Sequence, residues 1–100
     1  MRNIGRNHFL RKNYDEALIK HQQALGIAER IKDLRGISTR CIHLSMVYVR
    51  LNNYQLAVQY LTRSIETRRE LGETHFEKDM IFLNKLKVLA QKGKTASTSR

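Results

Sequence analysis

From Tyr14 to Lys32 the apolar or small residues fall at Tyr14, Ala17, Leu18, His21, Ala24, Leu25, Ala28 and Ile31. Steps of three and four place them along one side of an α-helix about 28 Å long. Asn13 fits as its N-cap, with Asp15 and Glu16 in the first turn and Arg30 and Lys32 in the last. The design returns at Tyr54, Ala57, Val58, Leu61, Ser64, Ile65 and Leu71, with Asn53 as cap and Gly72 as the residue that stops the helix in a left-handed conformation. Between these stretches, from about Ile37 to Leu51, a third helix carries two stripes. Cys41, Leu44, Ser45 and Tyr48 face a partner helix, while Ile42, Met46 and Val49 lie on another side that something else must cover. Beyond Gly72, Phe82, Leu83, Leu86, Leu89 and Ala90 form the apolar side of a helix over about 76–91, expected to pack on the helix that begins at Tyr54. Residues 92–100 hold no large apolar side chain and are expected to form a disordered basic tail.

The pattern repeats with a period of forty residues. Ile4, Gly5 and His8 line up with Leu44, Ser45 and Tyr48; Ala17, His21, Ala24 and Leu25 line up with Ala57, Leu61, Ser64 and Ile65; and the link Lys12-Asn13-Tyr14 lines up with Asn52-Asn53-Tyr54. A fixed period of this size is the signature of stacked helical units, which present surfaces to other molecules. Gly5 and Ser45, one turn before His8 and Tyr48, are the small residues that let paired helices approach.

Within each unit the spacing resembles the tetratricopeptide repeat: a large residue, Leu-Gly, an aromatic, then Ala followed four places later by a bulky residue. Met1, Ile4, Gly5, His8, Ala17 and His21 occupy those places first, and Cys41, Leu44, Ser45, Tyr48, Ala57 and Leu61 occupy them again. The chain departs from the pattern in having no Trp and no Pro, and its period looks like that of the long-helix variety. The resemblance implies an all-α fold of antiparallel helix-hairpin repeats, a TPR-like α-solenoid. Repeat one is expected over about 1–33, repeat two over about 37–71 and a capping helix over about 75–91, together a domain of residues 1–91. It further implies that the first helix of each pair lines a concave groove. Arg2, Arg6 and Phe9 would then stand in the groove of the first repeat, and Ile42, Met46, Val49 and Arg50 in that of the second. The competing reading places Ile42, Met46 and Val49 against the neighbouring repeat, and Arg2 and Arg6 on solvated surface.

Charge sharpens the choice of partner. The formal net charge is +10, concentrated at the two ends: residues 1–12 carry Arg2, Arg6, Arg11 and Lys12 without an acid, and residues 85–100 carry Lys85, Lys87, Lys92, Lys94 and Arg100 without one. Paired arginines favour carboxylates. The expected function is therefore a protein-protein interaction adaptor or scaffold that holds an acidic or amphipathic partner segment. The alternative is a subunit that binds polyanions, nucleic acid or acidic tubulin tails, within a larger assembly. Tyr14, Tyr48 and Tyr54 are committed to helix seams, which leaves no stacking platform for bases.

Other chemistry finds little support. Cys41 and His43 are two apart on a helix and point to different faces, and no Cys-x-x-Cys or His-x-x-x-His pair occurs. The five glycines are scattered singly, so no phosphate loop is present, and Cys41 lies on a stripe expected to be buried. Neither enzyme activity nor a cofactor nor a metal is expected. The lone cysteine excludes an internal disulfide, no apolar run is long enough to span a bilayer, and a cytoplasmic setting, cytoskeletal or ciliary, is the expectation.

Overall fold

Three corners spaced by twenty residues organise the chain. Lys32, Asn52 and Gly72 all adopt positive φ, at 58°, 63° and 95°. At each corner the residue in positive φ donates its N–H three residues back, as in Asn52 to Val49 O at 3.0 Å. The next residue donates five back, as in Asn53 to Tyr48 O at 2.8 Å. Asp33 reaches Ala28 O and Glu73 reaches Arg68 O in the same way. This paired 5→2 and 6→1 arrangement is the Schellman motif, which satisfies carbonyls that a helix end would otherwise leave bare.

The computed structural model describes the helical backbone of residues 2–98 and the side chains of residues 13–92. The corners separate α1 (Arg2–Arg30), α2 (Leu34–Arg50), α3 (Tyr54–Glu70) and α4 (Glu77–Thr98), and no strand occurs among the described residues. Each helix packs on the next, α1 on α2, α2 on α3 and α3 on α4. Neighbours run antiparallel, as Ser38 beside Ser64 and Tyr48 beside Tyr60 show for α2 and α3. The fold is thus all-α, a series of antiparallel helix hairpins. Asp33 caps α2 through Gly36 N, and Asn53 caps α3 through Leu56 N, the latter as its position in the sequence predicts.

One expectation fails. Asn13 and Tyr14 lie inside α1, which runs on without the break anticipated at Lys12-Asn13-Tyr14, so Asn13 caps nothing and residues 2–30 form one helix rather than a pair. The physical reason lies in the residue types. No Gly or Pro stands between 11 and 14, Arg and Lys are good helix formers, and a left-handed Lys12 costs about 1–2 kcal/mol that a straight helix avoids. The stretch expected as a disordered tail, 92–100, continues instead as the helical backbone of α4 as far as Thr98, while its side chains from residue 93 onward lie outside the described residues.

Two core clusters follow from this order. Leu25, Ala28, Ile37, Cys41 and Leu44 join α1 to α2, and Ala57, Leu61, Ile65, Phe76, Leu83 and Leu86 join α3 to α4. Small side chains lie between them. Ser45 and Ser64 are buried in the α2–α3 seam, where Ser64 Oγ donates to Ser38 O at 3.1 Å.

Candidate protein-binding surfaces

The side chains expected to line a groove on α2 divide into two sets. Ile42 and Val49 are half-buried and pack against the cluster of Ala57, Leu61, Leu83 and Leu86, so the second stripe of α2 is covered largely from within the chain. Met46 is 50 % exposed, and Arg50, one turn further along the same side, is exposed. These two remain available to a partner. Arg2, Arg6 and Phe9 lie outside the residues whose side chains are described.

A larger surface lies on α4. Of the apolar residues assigned to its packing side, only Leu83 and Leu86 are buried, Ala90 is half-buried, and Phe82 and Leu89 are exposed. Phe76 and Met80 complete the buried side instead, because the link of Leu71 to Phe76 delivers α4 in a register set by Phe76. Ile81 and Val88, 59 % and 55 % exposed, stand seven residues apart on the outward side. That i, i+7 pair, offset from Leu83 and Leu86, was the sequence signal for a second apolar face.

Between α3 and α4 a trough opens in two lobes of about 380 and 280 Å³. Val58 and Ala90 floor one lobe, Ile65, Met80 and Leu83 floor the other, and Lys87 lines both. Arg68 closes the seam at the corner end. Its Nη2 donates to Asp79 Oδ2 at 2.8 Å, its Nη1 lies 3.8 Å from Glu73, and its guanidinium sits 5.3 Å from the centre of the Phe76 ring. The same guanidinium Nε is buried without a hydrogen-bond partner among the described residues.

The titratable groups do not assemble a reactive centre. Cys41 is sealed from solvent, and burial pushes its thiol above the usual range, with Arg63 opposing and Glu29 assisting. His21, half-buried at the α1–α2 seam, is held below the ordinary histidine value by burial and then by His43 and Arg40. Its ring centre is 5.0 Å from that of His43, and Arg40 Nη1 lies 3.3 Å from its Nδ1. A cation beside this pair opposes metal binding, and among the described residues no group of three His, Cys, Asp or Glu side chains is gathered for a metal. Among the same residues, no helix is long and apolar enough to cross a membrane.

A family model for the tetratricopeptide repeat matches residues 1–70, which span α1, α2 and α3. No curated protein and no solved structure matches the chain. With seventy of one hundred residues under the family model and antiparallel helix hairpins throughout, the chain belongs to the tetratricopeptide-repeat family.

Proposed function

We propose that this module holds an acidic, amphipathic segment of a partner protein against α2, with Met46 meeting the apolar side of the segment and Arg50 its carboxylates. Membership of the family makes the chain a general protein-protein interaction module, one of a class of repeats that are typically non-catalytic. The observation that carries the finer reading is Met46, a large apolar side chain left half-exposed one turn from an exposed arginine. A flexible thioether adapts to varied apolar partners, and a guanidinium fork selects carboxylates.

The test is capture of partners from cell extract by the chain and by Met46→Glu, each at two salt concentrations, with quantitative mass spectrometry. Specific partners are expected to be lost with Met46→Glu and to persist at moderate salt. Binding that ignores Met46→Glu and falls steeply with salt would instead identify a polyanion binder.

A further inference from the structure

We propose that the trough between α3 and α4 is a second docking surface, shaped for an acidic amphipathic helix of another polypeptide, with Lys87 as its central contact. It is distinct from the Met46–Arg50 surface and does not depend on it.

Shape is the first support. The trough runs from Gln55 to Arg69 along α3, fourteen residues or about 21 Å, so it accommodates about four turns of a third helix. Its floor alternates half-buried and buried aliphatic groups, Val58 and Ile65 from α3 against Met80, Leu83 and Ala90 from α4. The furrow between two antiparallel helices receives the ridge of another helix, whose apolar residues at i, i+3 or i+4 and i+7 enter it.

Charge decides the occupant. Among the side chains that line the trough the charged ones are Lys87, Arg69 and Glu66, an excess of one positive charge, and α4 carries no acid from Met80 to Lys92. A second copy of a chain with a net charge of +10 would bring more positive charge to a positive rim. The chain's own final residues, with Lys94 and Arg100 and no acid, are equally mismatched. A partner with glutamates flanking an apolar stripe meets both requirements, since carboxylates opposite Lys87 and Arg69 complement the rim while the stripe covers the floor.

The test uses the full chain, isotopically labelled, and a synthetic helical peptide of about sixteen residues with leucines on one stripe and glutamates beside it. A twin peptide carries lysine in place of every glutamate. Titration followed by amide chemical shifts is expected to perturb Gln55, Gln59, Glu66, Lys87 and Gln91 with the glutamate peptide. Lys87→Glu, an exposed position that leaves the core untouched, is expected to weaken binding by about tenfold, and the lysine twin to bind at least that much more weakly. Ala90→Leu, which fills the floor, should weaken it as well, and Met46→Glu should leave the shift changes of Gln59, Glu66, Lys87 and Gln91 in place. Perturbation confined to Met46 and Arg50, equal binding of the two peptides, or no binding at millimolar peptide would each overturn the proposal. Only the first of these would favour the α2 surface, so failure here is separable from failure there.

Discussion

Where α2 meets α3, Cys41, Ser45, Ala57 and Ser64 let the backbones approach until all four side chains are sealed from solvent, whereas α3 and α4 meet on Phe76, Leu83 and Leu86 and leave a trough beside them. Both pairs are antiparallel neighbours of similar helices. They differ in side-chain size at the contact: small residues bring helices together along their length, and large ones hold them apart and make a few strong contacts. A closed seam stabilises the fold, and an open one leaves a furrow that another helix can enter.

The strongest test of that contrast compares two leucines. Leu44→Ala, at a fully buried site, is expected to cost about 3 kcal/mol, while Leu89→Ala, on the outward side of α4, should stay within about 0.5 kcal/mol in urea denaturation. Equal losses would mean that α4 is covered on both sides. Enlarging alanines probes the seams from the other direction. Ala57→Leu overpacks the α2–α3 contact and should cost about 2 kcal/mol, whereas Ala90→Leu grows into the trough and should leave the melting temperature unchanged or higher.

Much of this contrast is written in the residue types. Asn53 announces the start of α3 and Gly72 the end of it, and both do in the structure what their chemistry predicts. The stripe of Cys41, Leu44 and Ser45 is also buried as its spacing requires. Two features were hidden. Lys12-Asn13 looks like the corner at Asn52-Asn53, yet α1 runs through it, because a corner forms only when packing offsets its backbone cost. Lys32 shows the converse: a residue with no taste for positive φ adopts it where Ala28, Ile37 and Cys41 bury against each other across the turn. The trough was equally invisible, since which side of α4 faces α3 depends on the length of the link that ends at Phe76.

The corners can be graded by the same logic. Gly72→Ala should cost about 1 kcal/mol although open space surrounds the added methyl, and Lys32→Gly should add about 0.5–1 kcal/mol of stability, both read by thermal melting. The smallest expected effect is that of pH at the α1–α2 seam. Folding lowers the His21 pKa, so the unfolded chain takes up the proton first as pH falls below about 6.5. The contribution of His21 is therefore fully present above that pH and declines on acidification, and His21→Asn should flatten that part of the stability profile.

Amide hydrogen exchange across residues 13–92 tests the central contrast most directly. The account predicts the slowest exchange, approaching that of global unfolding, in α2 around Cys41 to Ser45 and in α3 around Leu61 to Ile65, with α4 from Asn84 to Lys92 opening at lower free energy. Protection of α4 equal to that of the α2–α3 seam would contradict it.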